Sequence, residues 1–426
     1  MTGVFLGIDV GTGGVRACAI DARGDKLGME SAPLPAPRQH GQAIDQDPEL
    51  WWDATAAAIG KLGRIVDLGV VECVSVDGTS GTLLLIDATG RPCTPGLMYN
   101  DARAAAEAVR IAAVAPSDSG AHGASSALAK LLYLSGRGEA GHARFAVHQA
   151  DWIAGRLAGH HGISDENNVL KLGYDPVTRG WPAWLDELGV PRELLPKVLV
   201  PGTRFAEIDS AVATALGLSP AARIAAGTTD GVAAFIATRA DTPGDAVTSL
   251  GTTLVVKLLA TRPIFAANQG VYSHRLGERW LAGGASNSGG GALLAHFTAA
   301  DIERLTPQLQ PEVPTGLNYY PLPKPGERFP IADPALPAKV APRPSDDHRF
   351  FQALLEGIAG IEALAYRRLA ELGAPKLRRV VSIGGGAKNA AWTEIRRRAL
   401  GVAVTVAEET EASYGAALLA LRGAPP

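Results

Sequence analysis

Cysteine is scarce in this chain: Cys18, Cys73 and Cys93 are the only three in 426 residues, and no two of them form a CxxC pair. That excludes a disulfide framework and fits a reducing compartment. Cys18 and Cys73 fall inside apolar strand-like runs, where cysteine behaves as a small hydrophobe. The nine histidines show no HExxH or other metal-ligand spacing, and His160-His161 reads as an exposed loop pair. Charge is also sparse, with 19% charged residues and a net charge of −3. Neither nucleic acid nor a membrane surface is then an expected partner. The short runs Arg378-Arg379 and Arg396-Arg397-Arg398 read as solvated helix faces. No apolar run is long enough to cross a bilayer. Asp9 interrupts the N-terminal hydrophobic segment and no basic residue precedes it, which is unlike a signal peptide. A soluble, cytoplasmic protein is the expectation. The phosphate-binding pattern GxxxxGK[ST] appears nowhere.

Glycine is plentiful, with 50 residues, and it is placed in patterns. In "FLGIDVGTGGVRACAID", Phe5 to Asp21, a carboxylate ends an apolar run and glycines follow. A dinucleotide-binding turn would open a helix at this point. Here "VRACAI" is β-branched and alternating, so strand, glycine turn, strand is expected, a β-hairpin. Free backbone N–H groups at Gly11, Thr12 and Gly13 would form an anion-binding concavity. Asp9 either holds Mg²⁺ through water or caps its own turn. "DAVTSLGTTLVVKLL", Asp245 to Leu259, repeats the pattern 240 residues further on, with Gly251-Thr252 matching Gly11-Thr12 and Ser249 standing where Asp9 stands. A duplicated architecture follows, with the metal on the side that keeps the carboxylate.

Three further stretches carry chemistry. In "SIGGGAKNAAWTEIRRRAL" a strand meets a glycine turn and a helix capped by Asn389. Gly385, Gly386 and Asn389 either receive the adenosine of a nucleotide or only make a tight connection. "RIAAGTTDGVAAFIATRA" reads as strand, loop and helix, with Asp230 in the loop at the helix start. Asp230 is either an N-cap or the base that takes a proton from an attacking hydroxyl, as phosphoryl transfer requires. In "VECVSVDGTSGTLLLID" the turn residues Asp77, Thr79 and Ser80 suit a sugar hydroxyl, and Asp77 reads equally well as a turn former.

In this order the segments resemble the FGGY carbohydrate kinases of the actin-like ATPase superfamily. The motifs are "GIDVGTGGVRA", "DATGRPCTPGLMYNDARA", "QADWIAGRLAG", "AAGTTDGVAAF", "VTSLGTT", "PGERFPIADP", "LLEGIAGIEALAYRRL" and "SIGGGAKN". The resemblance covers nearly the whole chain. It implies an α/β protein of two ribonuclease-H-like domains around a central cleft, using ATP and Mg²⁺. It also implies Asp9 as the metal-associated carboxylate, Thr12 as a phosphate contact and Asp230 as the base. Gly251 and Thr252 would form a second phosphate turn, and Gly385, Gly386 and Asn389 the adenosine contacts. Asp9, Asp77, Ser80 and Asp230 would line the sugar. Xylulokinases carry a Gln-Met-His triplet where this chain has Thr79-Ser80-Gly81. The "DGTSGTLLLID" stretch resembles instead the Asp-x-Thr turn of a compact ribulokinase-like group, so D-ribulose is the first expected substrate and D-xylulose the second.

The domain cut is expected at the "GTTDG" loop, giving 1–229 and 230–426. Residues 321–344 are too rich in proline for a helix or a central strand. An ordered loop is expected there, followed by a helix over 346–372. Residues 412–421 read as a buried final helix, and 116–124 as a flexible stretch.

Overall fold

A computed structural model describes residues 3–137 and 141–423. The chain divides into two compact units. The first runs to Ala237 and takes in His274–Glu278 and the chain from Glu411 onward. The second comprises Thr238–Ser273 and Arg279–Thr410. Among the described residues no helix is long and apolar enough to cross a membrane.

The first unit is organised on a six-stranded sheet. Its order is Arg204–Glu207, Arg223–Thr229, Val71–Gly78, Val4–Val10, Gly14–Asp21, Lys26–Pro33. Val4–Val10 is buried at every position, as a strand covered on both faces must be. It pairs antiparallel with Gly14–Asp21 and parallel with Val71–Gly78. One face carries the helix Pro48–Leu62, capped by Asp47, and its Trp51 meets Trp152 edge to face at 6.2 Å. The final helix, Ala412–Arg422, is buried over Ser413–Ala420. It approaches so closely that a Cβ on Gly7 would lie 1.9 Å from the Ser413 carbonyl oxygen. A Cβ on Gly415 would meet the Ala233 carbonyl oxygen at the same distance. The expectation of a buried last helix holds, and by its contacts that helix belongs with the N-terminal strand.

The second unit repeats the plan. Its sheet contains Arg279–Ser286, Leu254–Ala260, Asp245–Leu250, Arg379–Ile383 and Ala403–Val406 as neighbours in that order, with Tyr272–Leu276 beyond Arg279–Ser286. Asp245–Leu250 pairs antiparallel with Leu254–Ala260 and parallel with Arg379–Ile383. Each unit thus has a hairpin whose first strand takes a parallel neighbour on its other side. That is the duplication expected from the two Gly-Thr segments.

Behind the second sheet lies Asp347–Glu371, a helix of 25 residues capped by Asp346, as the sequence led one to expect. The proline-dense segment before it is ordered through short bridges, Tyr320 to Lys339 and Glu327 to Asp333. The buried Glu327 carboxylate fixes it by accepting from Asn287 N at 2.7 Å and from the Tyr320 hydroxyl at 2.9 Å. Residues 116–124 form turns in which His122 Nε2 meets the Pro116 carbonyl oxygen at 2.8 Å.

Two readings of charged residues are corrected. Arg396 is not on a solvated face: it is 0% exposed and grips the equally buried Glu362 with Nε and Nη2, at 2.6 and 2.7 Å. Its Nη1 donates to Ser382 Oγ at 2.7 Å, while Thr248 Oγ1 donates to Glu362. Arg379 opens a strand instead of lying on a helix, and pairs with Asp245 at 2.8 Å. His161 is half-buried against Gly90 and Gly155, so only His160 of the histidine pair is exposed.

Candidate functional site

The first hairpin turns where expected. Val10 pairs with Val15, and Gly11 N donates to the Gly14 carbonyl at 3.0 Å. That bond uses the Gly11 donor and leaves the N–H groups of Thr12 and Gly13 without a hydrogen bond among the described residues. Both residues are exposed. Nothing lies within 4 Å of a Cβ built on Gly13, so an anion can approach the backbone here.

Asp9 stands two residues before this turn, and its side chain is almost wholly buried. Its register partner on the parallel neighbour is Asp77. Asp77 lies inside the strand Val71–Gly78 and not at the turn, which corrects the sequence reading. It is completely buried, and its carboxyl group is a side-chain hydrogen-bond partner of Asp9. Asp77 is also opposite Thr228 of the strand Arg223–Thr229. A register shift between Ala225 and Thr228 sets that pairing. The shift is a bulge that needs glycine, because a Cβ on Gly227 would fall 1.7 Å from the Val76 carbonyl oxygen.

The strand Arg223–Thr229 passes straight into the helix Asp230–Ala237. Asp230 is therefore the first residue of a helix joined directly to a buried strand, and there is no loop at this point. Its Oδ1 accepts from Gly231 N at 2.6 Å. The helix belongs to the first unit, so Asp9, Asp77 and Asp230 are all carried by one compact body.

These three carboxylates act on one another. Burial first, and then the charge of Asp230, push the Asp9 pKa up to about 6, against the pull of Arg16 at 3.3 Å. Asp77 is raised well above the carboxylate range by its burial, then by Asp9 and Asp230. Like charges held this close in a dry site resist joint ionisation and invite a cation. Among the described residues no group of three or more His, Cys, Asp or Glu side chains is arranged to hold a metal ion by itself.

The turn after Asp77 is Thr79–Thr82. Gln149 Oε1 accepts from Thr79 N at 3.2 Å and from Thr79 Oγ1 at 2.8 Å, and Gln149 Nε2 is buried with no partner among the described residues. Ser80 is half-buried. Gln149 opens the helix Gln149–Ala158, and the sequence reading gave it no role. The signal available was only its place at the head of "QADWIAGRLAG".

In the second unit, Leu250 pairs with Leu254 around Gly251-Thr252-Thr253, where Gly251 and Thr252 are exposed. This turn has a support that sequence reasoning missed. Gly290 N donates to the Gly251 carbonyl at 2.8 Å and Gly291 N to the Thr252 carbonyl at 3.0 Å. A Cβ on Gly290 would lie 2.9 Å from that first carbonyl oxygen, so the run "SNSGGG" is glycine because two backbones touch. The run itself was the available signal.

Asn389 caps the helix Ala390–Leu400 by accepting from Trp392 N at 2.9 Å, as expected. Gly385 is exposed with open space beside it, whereas a Cβ on Gly386 would run into Trp392 at 2.5 Å and Leu250 at 2.9 Å. Packing alone therefore accounts for Gly386, and Gly385 is the position that leaves room for a flat group.

The N-terminal domain of the FGGY family of carbohydrate kinases matches residues 4–237, and the C-terminal domain of the same family matches 246–424. A xylulose kinase of Streptomyces coelicolor is 31% identical over 264 residues, 58% of this chain and only 53% of that protein. A xylulose kinase of Staphylococcus xylosus is 22% identical over 98% of this chain and 90% of its own length. In three dimensions the chain is similar to a "xyloylose kinase" from Brucella ovis, with a TM-score of 0.91 at 24% identity over 98% of this chain and 90% of that one. The α/β architecture, with a six-stranded sheet in each unit, is thus the one found in FGGY kinase structures.

Proposed function

This chain belongs to the FGGY family of carbohydrate kinases, and we propose that it transfers the γ-phosphoryl group of MgATP to a hydroxyl of a ketopentose. The observation that carries the reading is that Asp9, Asp77 and Asp230 lie in one unit, where Asp230 raises the pKa of both others, and that Asp9 stands two residues before a turn with exposed Thr12 and Gly13. A protein that only binds and releases nucleotide has no acceptor hydroxyl to activate, whereas a sugar kinase needs a fixed base.

In this mechanism Asp230 accepts the proton from the attacking hydroxyl. Thr12 and Gly13 present backbone donors to phosphate oxygens, and in the second unit Gly251 and Thr252 form the corresponding turn. Gly385, Gly386 and Asn389 are the proposed adenosine end, with Gly385 offering the open face. Bound Mg²⁺ supplies positive charge for the phosphate oxygens, and Asp9 would hold it through water. Asp77 has no exposed atom, so its proposed part in the sugar site is to shape Asp9, and Ser80 supplies the hydroxyl contact.

Asp9→Asn should then raise the Mg²⁺ concentration for half-maximal rate on the order of tenfold or more, as loss of an outer-shell metal partner does. A metal titration superimposable on that of the wild type would remove Asp9 from the metal site.

The relatives named xylulose kinase support D-xylulose at least as strongly as the sequence Asp77-Gly78-Thr79 supports D-ribulose. ADP release measured across ketopentoses, ketohexoses, pentitols and glycerol decides this. The expected result is a kcat/KM maximum at one of the two ketopentoses; equal response to every polyol would defeat the assignment.

A further inference from the structure

Lys130 is a fully buried lysine, and among the described residues no carboxylate is bonded to it. It lies on the helix Ala127–Ser135. Its Nζ donates to the Gly81 carbonyl at 2.7 Å and to the Met98 carbonyl at 2.7 Å. Lys171 Nζ donates to the neighbouring Ser80 carbonyl at 3.2 Å. Gln149 holds Thr79, one step earlier, through its backbone N–H and its hydroxyl. Thr82 N closes the turn on the Thr79 carbonyl at 3.3 Å. Gly81 takes a left-handed φ of 93°, open chiefly to glycine.

Three side chains from outside the segment therefore fix three consecutive residues of one short turn. A buried ammonium is an expensive way to satisfy two carbonyls, which water would satisfy on a surface. Its presence points to a turn whose shape matters beyond the fold.

We infer that Lys130 is a positioning residue for the sugar: by anchoring the Gly81 and Met98 carbonyls it holds the Thr79–Thr82 turn so that Ser80 meets a substrate hydroxyl. This rests on the proposed reading of that turn as part of the sugar site. Lys130 does not touch the substrate and acts only through the turn.

The protonation state of Lys130 gives a readout that a packing role would lack. Burial lowers its pKa to about 7; Asp101 opposes that shift, while Lys171 and Arg103 add to it. An ammonium offers three donors and full charge, whereas the neutral amine offers two weaker ones. As pH rises through that pKa the hold on the turn slackens. The KM for sugar should rise severalfold between about pH 6 and about pH 8.5, with the KM for MgATP unchanged.

The test compares the wild type with Lys130→Met, using the best ketopentose from the substrate panel. Lys130→Met should raise the sugar KM about tenfold, more than it lowers kcat, and should flatten the pH step. A folded Lys130→Met with sugar and MgATP KM values within twofold of the wild type, or with the pH step retained, overturns the inference. If that variant does not fold, the wild-type profile decides. A step confined to the sugar KM near pH 7 supports the inference, and a flat profile or an equal step in the MgATP KM overturns it. Ser80→Ala tests the underlying reading separately. An unchanged sugar KM there removes the turn from the sugar site. A raised one, beside an unaffected Lys130→Met, overturns the positioning role alone.

Discussion

Asp230→Asn is expected to lower kcat by about 10²–10⁴-fold, the usual worth of a general base, while the sugar KM stays within a few-fold of the wild type. Asparagine keeps the size of the side chain and an oxygen for the Gly231 N–H, so the helix start has no reason to move. What is lost is the ability to take a proton from the attacking hydroxyl. A loss in kcat without a matching change in KM marks an interaction used in the transition state and not in binding. Steady-state rates at saturating MgATP read this directly. Turnover close to the wild type would take Asp230 out of the chemistry, and a large KM change with kcat preserved would recast it as a sugar ligand.

The largest stability effect is expected far from the reacting groups, at the ion pair of Arg396 and Glu362. Both side chains are 0% exposed. Arg396→Leu leaves Glu362 buried with Thr248 as its nearest donor. Removing one partner of a buried pair costs about 3–5 kcal/mol, because the remaining charge has lost its compensation. Arg397→Leu, one residue on, removes an exposed, solvent-screened pair with Glu394 and should leave stability nearly unchanged. Urea unfolding of the second unit, followed by hydrogen exchange at Val380–Ile383, separates the two. A double variant with leucine at both 362 and 396 should recover much of the loss. Arg396→Leu no more harmful than Arg397→Leu would mean that the pair contributes nothing to the fold.

What the sequence could announce depended on how local the cause was. Both Gly-Thr hairpins were legible, because a glycine turn between two β-branched runs is specified by the residues themselves. The Asp346 and Asn389 caps were legible for the same reason. Asp77 was misplaced because "VSVDGTSG" reads locally as a strand ending at its aspartate. The strand continues through Gly78 because Val4–Val10 on one side and Arg223–Thr229 on the other satisfy its backbone. Both partners are distant in sequence. The direct passage from strand to helix at Asp230 depends on the same sheet.

Arg396 read as solvated because its helix is amphipathic and its partner Glu362 lies on another helix. The final helix is a fourth case. Nothing within residues 412–422 says that they pack on residues 4–10, but Gly7 and Gly415 are both positions where a Cβ would collide with backbone. The same long-range packing places the helix Asp230–Ala237 and the last helix with the first compact unit.

The most direct test of the whole account is to follow phosphorus itself. With MgATP, a ketopentose and the wild-type protein, ³¹P NMR should show a sugar phosphomonoester growing in step with ADP, with no ADP formed when the sugar is omitted. Inorganic phosphate as the only product, or ADP formation indifferent to sugar, would contradict the claim that these carboxylates direct phosphoryl transfer to a carbohydrate hydroxyl.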